Sequence, residues 1–138
     1  MEIMDALTAL TTRSSAVRLV DPAPTGAALT AILAAGARAP DHGHLRPWKF
    51  VLVRGAARDK LGQLLAIALR AREPDAPEAL VAKERARALR APLIIAVVAT
   101  VRAHPKIPAI EQVISAGAAA QNMQIGRASC RERVSFLV

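Results

Sequence analysis

The chain has 138 residues, 53% hydrophobic and 22% charged, which is enough for one domain with a packed core and too few for two ordinary ones. Its mean hydropathy is +0.28, yet Arg, Asp, Gly or Pro interrupts every apolar run well short of the roughly 20 residues a bilayer span needs, so no transmembrane helix is expected. A formal charge of +8 and a pI near 11.2 suggest an anionic partner. Arg127, Arg131 and Arg133 against Glu132 hold +2 of that charge, however, and Tyr is absent with only Trp48 and Phe50 aromatic before the tail. A base-stacking platform lacks its parts, and nucleic acid is not an expected partner.

The first residues, Met1-Glu2-Ile3-Met4-Asp5, carry two acids where a secretory signal needs a basic start, so a cytoplasmic protein is expected. Met4, Leu7 and Leu10 are spaced as one stripe of a short helix from Met4 to Thr12, which Arg13-Ser14-Ser15 breaks. Asp21-Pro22-Ala23-Pro24 must be extended, because each proline fixes its own backbone and restricts its predecessor. Thr25 suits the N-cap of a second helix over Gly26 to Ala37, with Leu29, Ile32, Leu33 and Gly36 on its buried stripe.

Arg38-Ala39-Pro40-Asp41-His42-Gly43-His44-Leu45-Arg46-Pro47 has the composition of a loop. Lys49 to Arg54 reads as a strand with apolar residues on both faces, ended by Gly55. Leu61, Leu64, Leu65, Ala68 and Leu69 define a third helix, and Glu73-Pro74-Asp75-Ala76-Pro77 separates it from a fourth over Glu78 to Arg90. The run Lys83-Glu84-Arg85-Ala86-Arg87 on that helix reads as a solvated, ion-paired face. Pro92 to Ala99, built on Leu93-Ile94-Ile95-Ala96-Val97-Val98, has the length and continuity of a buried central strand. After the loop His104-Pro105-Lys106-Ile107-Pro108, the residues Ile110, Val113, Ile114, Gly117, Ala118 and Gln121 predict the buried stripe of a fifth helix. One-stripe helices and two-faced strands together predict packed layers of an α+β fold. The single cysteine, Cys130, excludes an internal disulfide and has no adjacent His to activate it; no Cys/His cluster has zinc-ligand spacing. A Gly-x-Gly-x-x-Gly fingerprint is missing after both strands, which argues against a Rossmann dehydrogenase.

Five pieces in order resemble the flavin-dependent nitroreductases, and within them a small subgroup of NAD(P)H nitroreductases. Arg13-Ser14-Ser15 resembles the family's flavin-contacting Arg-Arg-Ser, and Asp21-Pro22-Ala23-Pro24-Thr25-Gly26 its entry into the second helix. Arg38-Ala39-Pro40-Asp41-His42 followed by Pro47-Trp48 is similar to its active-site loop. Arg90-Ala91-Pro92-Leu93-Ile94-Ile95 resembles the central strand, and Glu111-Gln112 with Ser115-Ala116-Gly117 the long core helix. The resemblance implies an α+β homodimer with FMN at the dimer interface, reducing nitroaromatics or quinones with NAD(P)H while the flavin carries the chemistry. It implies cofactor contacts from Arg13, Ser14 and Ser15, and from Arg38 and His42 across the interface. Two other readings are a flavin- or anion-binding module without turnover and, less favoured, a basic nucleic-acid partner. Taken without the resemblance, Arg13 is a cation meeting a helix C-terminus, His42 an exposed loop or backbone-bonding histidine, and His44 and Lys106 solvated side chains.

Two departures follow from the same comparison. Ser14 stands where the family motif has its second arginine, which removes a positive charge from an expected phosphate site. The resemblance also ends near Gln124: residues 1–124 read as a partial nitroreductase domain, and the tail 125–138, with Ile125-Gly126-Arg127-Ala128-Ser129-Cys130-Arg131-Glu132-Arg133-Val134, looks like a translated sequencing-library adapter. A chain so truncated is expected to have little or no activity.

Overall fold

The computed structural model describes residues 5–14, 19–129 and 135–137. Helix α1 (Ala6–Thr12) starts at Asp5, whose Oδ1 accepts from the backbone N–H groups of Leu7 and Thr8 at 3.0 and 3.1 Å. Asp5 thus satisfies two of the donors that a helix start leaves open. Met4 lies outside the described residues, and the stripe expected with it is not buried: Leu7 and Leu10 are exposed while Ala9 is fully buried. The small side chain faces inward where α1 packs against the last long helix.

Helix α2 (Gly26–Ala37) buries Ile32 and Gly36. A Cβ on Gly36 would come within 2.4 Å of Met123 Cε and 3.1 Å of Phe50 Cζ, so the absent side chain admits the neighbouring helix and strand. Strand β1 (Trp48–Arg54) begins one residue before the expected start. Helix α3 (Ala57–Arg72) buries Gly62 and Leu69 but leaves Leu64 exposed, and α4 (Glu78–Ala86) closes in a 3₁₀ turn at Arg87–Leu89 rather than running on as α-helix to Arg90. Strand β2 (Leu93–Ala99) lies within the expected range. Helix α5 (Ala109–Ser129) runs unbroken through Ile125.

The sheet has the order β1-β2-β3, with β3 formed by Ser135–Leu137. β1 and β2 are antiparallel, from Trp48 opposite Ala99 to Arg54 opposite Leu93. β3 runs parallel to β2 along Ile94–Ala96, so that edge of the central strand is paired there. Leu93, Ile95 and Val97 alternate toward one face, as the two-residue period of a strand requires, and meet Ile32, Ala116, Ala120 and Met123 of α2 and α5. Trp48, Phe50 and Leu52 of β1 pack on the same core.

The α5 face is the chief difference from the sequence pattern. Ile110 and Ile114 are each 63% exposed, Val113 is 46% exposed, and Gly117 and Gln121 also face outward. The buried face consists of Gln112, Ser115, Ala116, Ala119, Ala120 and Met123. Small residues there let α5 approach α2 and β2 closely, and the larger apolar residues are left on the surface. Among the described residues no helix is long and apolar enough to cross a membrane.

Candidate functional site

The expected site residues occupy two places. At the first, Arg38 caps the C-terminal end of α2, its backbone N–H directed at the carbonyls of Ala34, Ala35 and Gly36. Its side chain lines an open cleft of about 260 Å³ with Asp41, His44, Arg46 and Trp48. That volume is below the roughly 300–1,000 Å³ of typical small-molecule sites. Two arginines against one aspartate give the cleft a cationic lining.

The loop that shapes the cleft is tightly tied. The Asp41 carboxylate accepts from the Arg46 backbone N–H, and the Trp48 N–H donates to Arg46 O at 2.8 Å. His44 and Arg46 have φ of 54° and 47°, left-handed values that side chains with a Cβ seldom adopt. Such strain concentrates at binding and catalytic sites. Gly43, with φ of 71°, is required by contact as well as by backbone: a Cβ there would lie 2.5 Å from Ile107 Cδ1.

His42 does not line this cleft. Its Nδ1 sits 2.7 Å from Glu111 Oε2, tying the loop to the first turn of α5. The pair is exposed, 62% and 44% for the two side chains, so its value is positional and contributes at most about 1 kcal/mol. Gln112 beside it is 1% exposed. Its Oε1 accepts from Arg102 N–H at 3.0 Å, while Nε2 donates to Arg102 O at 2.8 Å and Ile107 O at 3.3 Å. The Arg102 guanidinium in turn donates to Leu45 O. Gln112 therefore holds the 102–107 loop against the cleft loop.

The second place is the C-terminal end of α1. Arg13 is half-buried there and Ser14 is exposed, while Ser15 lies outside the described residues. Arg127 lies in the last turn of α5, close enough to feel the charge of Arg13. Burial lowers the pKa of Arg127, and the positive charge of Arg13 lowers it further. The Arg127 Nε is buried with no hydrogen-bond partner among the described residues. An oxyanion is the kind of group such a donor set accepts, so the residues here fit a cofactor phosphate.

The two places belong to opposite ends of α5. Glu111, which holds His42, and Arg127 are separated by roughly 24 Å of helix at 1.5 Å per residue. A single chain does not bring His42 and Arg13 together. Sequence reasoning read His44 as solvated and did not single out Arg46 or Arg127; the structure places the first two at the cleft and the third near the end of α1. The left-handed φ values that turn the first two toward the cleft have no side-chain signature, and Arg127 acquires a neighbour only through the packing of α1 on α5.

A sequence model of the nitroreductase family matches residues 10–131. The chain belongs to the nitroreductase family. It is 44% identical over 122 residues to an Escherichia coli K12 protein named "Putative NAD(P)H nitroreductase YdjA", an alignment that covers 88% of this chain and 66% of that protein. The chain thus spans just under two thirds of the length of that relative. A nitroreductase-like family protein from Bacillus cereus superposes with a TM-score of 0.69 at 23% identity, covering 92% of this chain and 66% of that one. A nitroreductase from Desulfitobacterium hafniense, solved with bound FMN, gives 0.68 at 20% identity, with 92% and 66% covered. These likenesses give the chain a nitroreductase fold, the α+β architecture expected from its sequence.

Proposed function

We propose that this nitroreductase chain is part of an FMN-dependent oxidoreductase that uses NAD(P)H to reduce nitroaromatics or quinones, acting as a homodimer in the cytoplasm. The observation that carries this reading is the split of the site between the two ends of α5, with an exposed apolar face on the His42 half of that helix. An isologous dimer whose two-fold axis runs perpendicular to α5 and passes near mid-helix, beside Gly117, would set the two α5 helices antiparallel. The Arg38 and His42 loop of one chain then lies toward the Arg13 end of its partner. Ile110, Val113 and Ile114 would be buried by that pairing, and Gly117, whose Cβ position is open space, would allow close helix approach. The name of the Escherichia coli relative supports NAD(P)H as reductant, and the FMN in the Desulfitobacterium structure supports the flavin.

Bound FMN would supply the two-electron chemistry between nicotinamide and acceptor. The chain's own part is to bind and orient. Arg13 would offer a forked pair of donors to the phosphate, and Ser14 and Ser15, which follow it in sequence, would add hydroxyl donors. Arg38 and His42 would reach the partner's flavin from the cleft loop, where Asp41 and Glu111 hold the backbone and ring in place. The cleft is open on one side, so exclusion of water depends on the second chain.

The test is to purify the full chain, record its spectrum over roughly 350–500 nm, weigh it in solution, and follow NADH and NADPH oxidation with a nitroaromatic or quinone acceptor. Acceptor-dependent NAD(P)H oxidation by a yellow dimer would establish the reading for this chain itself and overturn the expectation, from its truncation, of little or no activity. Flavin binding without turnover would reduce the reading to a binding module, and a colourless monomer would refute it.

A further inference from the structure

Helices α3 and α4 pack as an antiparallel pair with their facing stripes in register. Gln63, Ala66, Ile67 and Arg70 on α3, and Glu78, Val81, Ala82 and Arg85 on α4, each recur at i, i+3, i+4 and i+7 and together line a groove of about 400 Å³. That volume is within the range of small-molecule sites, and none of these residues lines the Arg38 cleft. The two ends of the groove differ. At one, the Arg70 guanidinium donates to the Glu78 carboxylate, so both charges are met. At the other, Gly62 brings the helices into contact: a Cβ there would lie 2.6 Å from the Arg85 carbonyl oxygen and 3.3 Å from Arg85 Cγ. The stem of Arg85 is thus packed on α3, but its guanidinium has no ion pair or hydrogen bond among the described residues, because the adjacent acid, Glu84, is taken by Arg87. The run on α4 that reads from sequence as a solvated, ion-paired face therefore leaves one cation over, and that cation borders the groove. Between the ends lies an apolar floor on which Val81 is buried and Ile67 is 64% exposed.

We propose that this groove binds a small monocarboxylate with an apolar body of about six to eight carbons, its carboxylate on Arg85 and its body along Ala66, Ile67, Val81 and Ala82. A guanidinium meets a carboxylate with two parallel N–H···O bonds, and Gln63 at the same end adds an amide donor. The stripes run over seven residues, or roughly 10 Å at 1.5 Å per residue, which is the length of such a chain. Two arginines against one glutamate give the groove a single positive charge, so one carboxylate neutralises it, whereas a second acid at the far end would meet Glu78. The site is independent of the flavin reading.

The experiment titrates the isotope-labelled full chain with octanoate, octanol, acetate and the eight-carbon diacid suberate, following backbone amide shifts by NMR. Octanoate should give saturable shifts at residues 63–67 and 81–85; acetate, with no body to bury, should give none. Octanol, which lacks the charge, should bind more weakly by about tenfold or more, and Arg85→Gln should weaken octanoate by a similar factor while leaving octanol unchanged. Suberate should bind the parent chain less well than octanoate and gain on it in Glu78→Gln, which frees Arg70 for the second carboxylate. Octanoate shifts that do not saturate, shifts confined to the exposed face of α5, or equal octanoate affinity in the parent chain and Arg85→Gln would each overturn the proposal. Should Arg85→Gln lose the native spectrum, the comparison of suberate with octanoate in Glu78→Gln, where Arg85 is intact, decides the same question.

Discussion

Replacing Gln112 tests whether the cleft is held from α5. The side chain is 1% exposed and makes three hydrogen bonds to the backbone of Arg102 and Ile107, one of them fully buried. Gln112→Ala removes all three and leaves the Ile107 carbonyl without that donor. At about 1 kcal/mol net for each bond, plus the small cavity left by the missing amide, the loss should be about 3 kcal/mol. For a domain of this size that lowers the midpoint of thermal unfolding by on the order of 10 °C. The effect should also reach the site, because Ile107 packs against Gly43 and Arg102 donates to Leu45 O, both in the cleft loop. Urea unfolding measures the stability change, and amide exchange at residues 42–46 measures the loosening. Glu111→Gln, one position away but on an exposed pair, should change stability by less than about 1 kcal/mol. A Gln112→Ala loss as small as that of Glu111→Gln, with unchanged exchange in the loop, would refute the reasoning.

Gly62→Ala should destabilise by about 1–3 kcal/mol in urea unfolding despite the better helix propensity of alanine, because its Cβ would lie 2.6 Å from the Arg85 carbonyl oxygen of α4. Arg13→Ala should weaken FMN binding by about 1.5–3 kcal/mol in a fluorescence titration, the value of a hydrogen bond to a charged group, and unchanged affinity would remove Arg13 from the site. Gly117→Leu should leave the isolated fold intact, since the Cβ meets open space, yet abolish the dimer in sedimentation; an unaffected dimer would place the interface elsewhere. The Asp5 pKa is lowered, first by the hydrogen bond from the Thr8 side chain, so its capping contribution is complete above the ordinary carboxylate value and is lost as pH falls through the depressed native one. The Leu7 and Thr8 amide resonances should shift over that acid range and become flat in Asp5→Asn.

What the sequence could convey depended on whether a residue's surroundings were local. The two long strands, and the helices bounded by Pro or Gly, were legible because apolar runs and backbone restrictions act within a few residues. Faces were harder. On α5 the period of Ile110, Val113, Ile114 and Gly117 is that of a buried stripe, but α2 and β2 claim the alanine face instead, since Gly36 and Gly126 already bring the backbones close. The same exchange occurs on α1, where Ala9 is inside and Leu7 outside. Apolar periodicity reports that a face will be covered and not by what: a monomer core and a subunit interface leave the same pattern. The site shows the same limit. Arg38 and His42 stood out because they lie in a loop of prolines and histidines, but the partners that position them, Glu111 and the backbone turn at Arg46, come from 69 residues away and from a left-handed φ. Arg13 was legible from its motif, whereas Arg127 comes close enough to feel its charge only when α1 closes on the far end of α5. The expected contacts fall at both ends of one helix, which keeps Arg13 and His42 apart within one chain; in the proposed dimer a second copy would unite them.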